Sequence, residues 1–337
     1  MAAEKKLLVV LAATGSQGSA IVNHFLEHEP SYRIRGTTRN VDSAKAKALS
    51  NKGIEMVSAE LTDINSLIAA FQGASAIYAY TDSAGCAQAK EAIEAWESGK
   101  EKSLPDAARA LEVSQGKNIA DAAAQIPTLE RMIWSSTPDS KALAGGEYDN
   151  YEMASKAEVL RYMRSTPALK GKVNAVYLAV FTESFVRFPV VIGWTKPTAT
   201  NKKYLVRIPW NPASSMPWIN LAQDAGSWVG ALLKTDGDVT VEAVGGEMST
   251  EDVVETMRRK LGVEIEIQQI SLDEYSNVEP TGLMRHVGQL MRWTADLGIG
   301  REDPGAIKAE QFAKTHPGVK RSNIKESFES IDWSSML

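Results

Sequence analysis

Glu152 and Lys156 stand four residues apart in Tyr151–Glu152–Met153–Ala154–Ser155–Lys156. On a helix that spacing puts both side chains on one face. A carboxyl beside an amine can hand a proton to, or take one from, an amine, imine or enol. The same Glu152 also suits a first helical turn, where it offsets the helix dipole and caps together with Asp149. Both readings stay open. Tyr151 is five residues before Lys156 and turned well off that face, and Tyr148 falls at or before the helix start.

A second group of residues suits phosphate. The apolar run Leu7–Leu8–Val9–Val10–Leu11 ends in Ala12–Ala13–Thr14–Gly15–Ser16–Gln17–Gly18, and an amphipathic helix follows at once. Glycine lets a backbone approach a ligand closely, and a helix N-terminus offers unpaired N–H groups and a positive dipole end. Strand, glycine turn and helix in that order bind a dinucleotide pyrophosphate. In the G-x-x-G-x-x-G spacing the three positions are Ala12, Gly15 and Gly18, so the first glycine is replaced. The next strand, Tyr32–Thr38, ends in Arg39 and Asn40. An acid there would hold the ribose hydroxyls of NAD, whereas an arginine clamps a 2′-phosphate. Arg39 therefore points to NADP(H).

These side chains need a scaffold, and the hydrophobic pattern supplies one. Strands are expected at Ile54–Val57, Ala76–Tyr80, Met132–Ser135 and Val173–Val180, besides the first two. Helices are expected over Gly18–Leu26, Ser43–Leu49, Ile64–Phe71, Pro105–Ala124 and Tyr151–Arg164, with Ile21, Val22, Phe25 and Leu26 on the first helix's core stripe. Apolar strands alternating with helices predict an α/β, doubly wound parallel sheet covered on both faces. The segment 82–102 has no predicted place. After Val180 prolines and tryptophans break the pattern, and the chain is expected to build a smaller, discontinuous substrate-side domain. The expected division is 1–180 plus about 218–245 for the large domain, and about 181–217 plus 246–337 for the smaller one.

The bulk numbers narrow the function classes. The 337 residues are 44% hydrophobic and 23% charged, ordinary values for a globular protein. A net charge of −5 and the lack of a long basic run speak against nucleic-acid binding. Cys86 is the only cysteine, so neither an intramolecular disulfide nor a cysteine zinc site is expected. The absence of a signal-peptide pattern and of a bilayer-length apolar stretch leads to the expectation of a cytoplasmic protein without membrane contact.

The chain resembles the NmrA-like family, an atypical branch of the short-chain dehydrogenase/reductases. The resemblance is carried by Ala12–Gly18, Thr38–Arg39–Asn40, Gly53–Ile54–Glu55, Glu60–Leu61–Thr62–Asp63, Ser155–Lys156–Ala157–Glu158 with Tyr162, Phe181–Phe185, Pro217–Trp218–Ile219 with Asp224, and Asp332–Trp333. It implies an NADP(H)-binding Rossmann fold with a small C-terminal domain. It implies that Thr14, Gly15, Gln17 and Gly18 meet the pyrophosphate and Arg39 the 2′-phosphate. Glu60 and Leu61 would lie by the adenine, Tyr80 and Thr81 near the cofactor ribose, Lys156 at the nicotinamide ribose and Phe181 beside the nicotinamide. Typical members of the superfamily place a tyrosine four residues before the lysine. Here that position is Glu152. The resemblance also implies a substrate-binding hydroxyl after the fifth strand, for which Thr137 and Ser136 are the candidates beside Ser135, although short hydroxyls are also ordinary turn residues.

Other residues carry weaker expectations. His24 and His28 have the spacing of a helical metal pair but fall opposite the apolar stripe with no third ligand, so no metal is expected. Cys86 reads as a buried or incidental thiol. Trp194, Trp210, Met216 and Trp218 lie among prolines, where they either line a pocket for a bulky aromatic substrate or pack a small domain. Three functions are compatible: an NADP(H)-dependent oxidoreductase reducing C=O or C=N of an aromatic small molecule in biosynthesis, a nucleotide-sensing regulator with a protein partner, and a non-redox condensation enzyme using Glu152.

Overall fold

The computed structural model describes residues 5–300 and 303–337. The chain begins with β1 (Lys6–Val10), α1 (Ser16–His28), β2 (Tyr32–Thr38), α2 (Ala44–Asn51), β3 (Glu55–Ser58), α3 (Ile64–Phe71) and β4 (Ala76–Ala79). It continues through α4 (Ser83–Gln88), α5 (Lys90–Glu97), α6 (Leu104–Ala124), β5 (Arg131–Ser136), α7 (Ser140–Leu143), α8 (Tyr151–Ser165) and β6 (Val173–Leu178). Then come β7 (Val180–Phe181), α9 (Ser184–Arg187), β8 (Tyr204–Ile208), β9 (Ser215–Ile219), α10 (Leu221–Leu233), β10 (Thr240–Ala243) and β11 (Gly246–Ser249). Last are α11 (Thr250–Leu261), β12 (Ile265–Gln269), α12 (Leu272–Ser276), α13 (Leu283–Leu297), β13 (Ala306–Ile307), α14 (Ala309–Thr315) and α15 (Ile324–Ser330).

Eight strands form one sheet in the order β13-β10-β6-β5-β4-β1-β2-β3, and every neighbouring pair is parallel. Both faces are covered. On one, Ile21, Val22 and Phe25 of α1 pack with Trp228 and Leu232 of α10 and with Phe312 of α14. On the other, Leu67 and Phe71 of α3 meet Ile119 and Ala123 of α6 and Val159 and Met163 of α8. Burial on both sides explains why β1 and β4 read as continuous apolar runs. The result is a doubly wound, Rossmann-type sheet. Its strand order turns back at β1, which opens a crevice between β1 and β4 at their carboxyl ends.

The smaller unit holds a three-stranded sheet, β11-β9-β7, and the parallel pair β12-β8. Phe185, Trp210, Met216, Trp218, Phe328 and Trp333 fill its core together with α11 and α13 residues. Several helix starts are capped: Ser249 and Asp252 form a capping box on α11, and Asp63, Ser103, Asn150 and Asn220 accept from the first turns of α3, α6, α8 and α10. The starts of α1, α5, α9, α13 and α14 carry no side-chain cap, and of these α1 follows the glycine turn. It follows Gly15 and has no acid in its first turn.

Several expectations need correction. Val180 is not the end of β6; the chain turns at Ala179, and β7 pairs with β9 in the smaller sheet. The expected return of 218–245 to the large unit holds for α10 and β10, but residues to 219 belong to β9 of the smaller sheet. The final stretch does not stay wholly in the smaller unit, because β13 pairs with β10 and Phe312 enters the large core. Leu26 is 41% exposed, off the core stripe. The segment 82–102, which had no predicted place, forms α4 and α5 beside the crevice.

Candidate functional site

The turn after β1 is built for close approach. Ala12 takes φ +44°, in the left-handed region. Its N–H donates to Thr37 Oγ1 at 3.0 Å, and Gly15 N–H closes the turn on the Ala12 carbonyl at 2.8 Å. A Cβ on Gly18 would stand 2.4 Å from the Ala12 oxygen, and one on Gly15 would stand 2.7 Å from the Tyr80 hydroxyl. Both positions thus admit only glycine without rearrangement. Tyr80 Oη donates to the Ala12 carbonyl at 3.1 Å, and burial pushes its phenol up to about 12, so it serves as a donor. Tyr78 Oη donates to Gln17 Oε1 at 2.8 Å, which fixes that side chain and leaves its position's backbone amide. Among the described residues no carbonyl accepts from the amides of Ser16 and Gln17. An uncapped helix start with free amides has the donors and the dipole that suit an anion.

This turn opens onto a cleft of about 650 Å³. Thr14, Gly15 and Tyr80 line it, as do Arg39, Asn40, Ser43 and Lys45. Glu60, Leu61 and Thr62 also line it, with Asp82, Cys86 and Glu91 from the start of α4 through α5. Arg39 is exposed and makes no ion pair among the described residues. A glycine-built cradle and an unpaired arginine line one groove, with the free amides of α1 starting just past Gly15, and together they fit a phosphorylated dinucleotide. Gln17, Gly18, Thr81, Lys156 and Phe181 do not line this cleft. Gly18 acts through its close contact with the turn, and Phe181 is half-buried against the large core in β7.

Lys156 has a different setting from the one the resemblance implies. Its Nζ forms an ion pair with Glu112 of α6 and donates to Ser83 Oγ at 2.9 Å and to the Thr81 carbonyl at 3.0 Å. Glu112 is fully buried and also accepts from Thr81 Oγ1 at 2.7 Å, from Ser83 Oγ at 2.8 Å and from Ser155 Oγ. A buried carboxylate with this many donors is fully satisfied. Glu112 was missed from the sequence. Its signal is an acid on the buried stripe Ala108, Gly116, Ile119 and Ala123 of α6. Ser83 was missed as well, inside the unplaced segment.

Glu152 sits beside this network. Burial and the charges of Glu112 and Asp82 raise its carboxyl to about 7, against the opposing pull of Lys156. At neutral pH it is therefore divided between acid and base. Tyr151 is buried and points elsewhere: its hydroxyl donates to the Ser83 carbonyl at 3.3 Å, and burial raises its phenol well above the usual range. The helix cap expected of Asp149 is supplied by Asn150, which accepts from Met153 N–H at 2.8 Å. Ser136 Oγ donates to the Lys156 carbonyl at 3.3 Å, and Thr137 Oγ1 donates to the Met153 carbonyl at 3.1 Å. Both hydroxyls tie β5 to α8.

The tryptophans take the packing role. Trp210, Met216 and Trp218 are at most 1% exposed, inside the smaller unit. Trp210 Nε1 donates to Thr250 Oγ1 at 2.9 Å, and Trp218 Nε1 donates to the Met248 carbonyl at 2.8 Å. Trp194 stacks on Tyr204 and donates to the Met336 carbonyl at 3.0 Å. None of the four lines the cleft. This corrects the pocket alternative: large apolar rings with one polar atom each are spent on the core, with that atom satisfied. His24 is likewise not on a solvated face. It packs where Gly226 of α10 leaves room, and burial with the neighbouring His28 and Lys320 lowers its imidazole to about 4. Cys86 is buried, its thiol pushed up to about 12 by burial and Glu112. No group of metal-binding residues occurs among the described residues, and no helix there is long and apolar enough to cross a membrane.

The comparisons with known proteins agree with this architecture. An NmrA-like family domain-containing oxidoreductase from Aspergillus campestris is 25% identical over 334 residues, covering 94% of this chain and 93% of its own length. Another from Aspergillus hancockii is 27% identical over 236 residues, which is 69% of this chain and 64% of that relative. Among solved structures, NmrA, a negative transcriptional regulator, in complex with NADP superposes with a TM-score of 0.71 at 18% identity, covering 97% of this chain and 95% of that one. The same regulator is also known in complex with NAD. The sequence profile of the NmrA-like family matches residues 4–326, and this chain belongs to that family.

Proposed function

We propose that the chain binds NADP(H) in the cleft along α1 and β2 and acts as an oxidoreductase on a small molecule carrying a C=O or C=N group. The observation that carries the reading is the uncapped start of α1, with its glycine cradle, beside a groove that unpaired Arg39 lines. In this reading Thr14 and the Ser16 and Gln17 amides receive the pyrophosphate. Arg39, with Ser43 and Lys45 beside it, receives the 2′-phosphate. Glu60 and Leu61 flank the adenine. When bound, the nicotinamide supplies a hydride to the substrate or accepts one from it. The oxidoreductase names of the fungal relatives support that class.

The chain's own residues then manage the proton. Glu152 is the group poised to give or take one near neutrality, because burial and two nearby carboxylates oppose its ionisation. Lys156 is held by Glu112 and by Thr81 and Ser83, so its part is to balance that buried charge and to position the Thr81–Ser83 strand end. Ser136 and Thr137 fix the register of α8 against β5. With Trp210, Met216 and Trp218 in the core, the aromatic character of the substrate has no residue to carry it, and the proposal stops at the reducible group.

A second reading is favoured by one observation. Glu152 stands where the superfamily's tyrosine would be, and Lys156 is engaged by Glu112, as suits a protein that senses NADP(H) and signals to a partner without turnover. The third, non-redox condensation through Glu152, shares the same acid. Calorimetry with NADPH, NADP⁺, NADH and NAD⁺ tests the common core. We expect selective binding of the 2′-phosphorylated forms, lost by roughly tenfold or more in Arg39→Ala, the cost of a charged hydrogen bond. Failure to bind any of the four removes the reading. Binding with no turnover of carbonyl or imine substrates, together with a partner captured only with NADP(H), selects the sensor.

A further inference from the structure

One cation of the smaller unit faces the wrong neighbour. Arg187 ends α9, and its Nη1 donates to the hydroxyl of Ser16, the first residue of α1. Three features of this contact are unusual for a surface arginine. First, Glu183 lies four residues earlier, the ordinary helical partner for an arginine, yet its carboxylate accepts from the Thr182 hydroxyl at 3.4 Å, and no carboxylate among the described residues pairs with Arg187. Second, Phe188 lies under the guanidinium, whose carbon is 5.6 Å from the ring centroid. Third, the target is the positive end of a helix dipole, with no acid in its first turn. A guanidinium next to a helix N-terminus sets like charge against like. Such an arrangement is favourable when an anion sits between the two.

The geometry points to Arg187 as a pyrophosphate clamp that the smaller unit lends to the cofactor site of the large one. The inference rests on the dinucleotide reading above. In the free protein Ser16 keeps the guanidinium poised. With a dinucleotide bound, Arg187 exchanges the hydroxyl for a phosphate oxygen, while the Ser16 and Gln17 amides hold the oxygens on the other side. The clamp reads the charge common to NAD(H) and NADP(H), whereas Arg39 reads the 2′-phosphate alone. It also links the two units: Phe185, two residues before Arg187, packs edge-on against Trp218 in the smaller core at 5.1 Å, so α9 is anchored.

Calorimetry on the full chain tests this with wild type, Arg187→Ala, Arg187→Lys, Ser16→Ala and Arg39→Ala, each titrated with NADPH, NADH and inorganic pyrophosphate. Arg187 is exposed, so its replacement leaves the fold intact, as circular dichroism will check. We expect Arg187→Ala to weaken NADPH and NADH by the same factor, roughly ten- to hundredfold for a charge-assisted contact. Arg187→Lys should recover part of the loss. Arg39→Ala should weaken NADPH far more than NADH. Ser16→Ala, which removes the resting partner and keeps the cation, should change affinity much less than Arg187→Ala. Pyrophosphate should compete with NADH in wild type and lose that competition in Arg187→Ala. Wild-type NADPH binding that Arg187→Ala leaves unchanged, or equal effects of Ser16→Ala and Arg187→Ala, overturns the clamp alone. Absence of NADPH binding in the wild type overturns the dinucleotide reading and the clamp with it.

Discussion

Ala12 shows how one side chain sets a local cost. A non-glycine residue in the left-handed region pays about 1–2 kcal/mol, and Ala12 sits there because the turn must swing its carbonyl under Gly18 and Tyr80. Ala12→Gly removes that strain but adds unfolded-state freedom worth about 0.5–1 kcal/mol. The net expectation is a gain of roughly 0.5–1 kcal/mol in urea unfolding, with NADPH affinity maintained or improved. A loss of stability would mean that the methyl packs usefully. Glu152 carries a pH signature. Its folded-state carboxyl is raised from the model-peptide value near 4.5 to about 7, so the native state holds a proton that the unfolded chain releases. Stability from this group is present below about pH 4.5 and is lost as pH rises towards about 7. Glu152→Gln should flatten that decline, a difference on the order of 1–3 kcal/mol between the ends of the window. Unfolding free energies measured from pH 4 to 8 that slope equally in both proteins would refute the raised carboxyl.

At the scale of elements, the buried network depends on how closely α6 and α8 approach. Gly116 makes that approach possible: a Cβ there would lie 2.3 Å from Val159 Cγ2. The same helix pair delivers Glu112 from one side and Ser155 and Lys156 from the other. Gly116→Ala should therefore force the helices apart at a cost of about 1–3 kcal/mol. It should also loosen the Lys156–Glu112 pair. Adding Val159→Ala should recover part of the stability by opening space for the new methyl. Thermal unfolding of the two single variants and the double variant reads this out. Strict additivity of the two losses would show that Gly116 does not touch Val159 energetically.

Across the whole molecule, the cleft belongs to the large unit, and a second core lies in the smaller one. The large sheet supplies the crevice, and the smaller unit has its own interior around Trp218, Trp210, Phe328 and Trp333. Trp218→Ala should cost about 3–5 kcal/mol, because it opens a cavity and leaves the Met248 carbonyl without its indole donor. Were Trp218 a pocket wall, the variant would instead keep its stability and lose only ligand binding. Chemical denaturation beside NADPH titration separates the two outcomes.

The strand–turn–helix start, the parallel sheet and most helix bounds were legible in the sequence, because they rest on local rules: apolar runs, capping residues and glycine spacing. Ile64–Phe71 follows from neighbours in the chain alone. The rest depends on contacts distant in sequence. Glu112 meets Lys156 across 44 residues, and Arg187 meets Ser16 across 171. No local pattern carries such a pairing. Whether Trp210 and Trp218 line a pocket or fill a core is decided by which surfaces face them, and a tryptophan among prolines reads the same in both cases. Sequence determined the scaffold and the glycine turn on which the cofactor proposal rests. Tertiary structure decided the charge partners, since a buried charge takes its properties from whatever the fold places beside it.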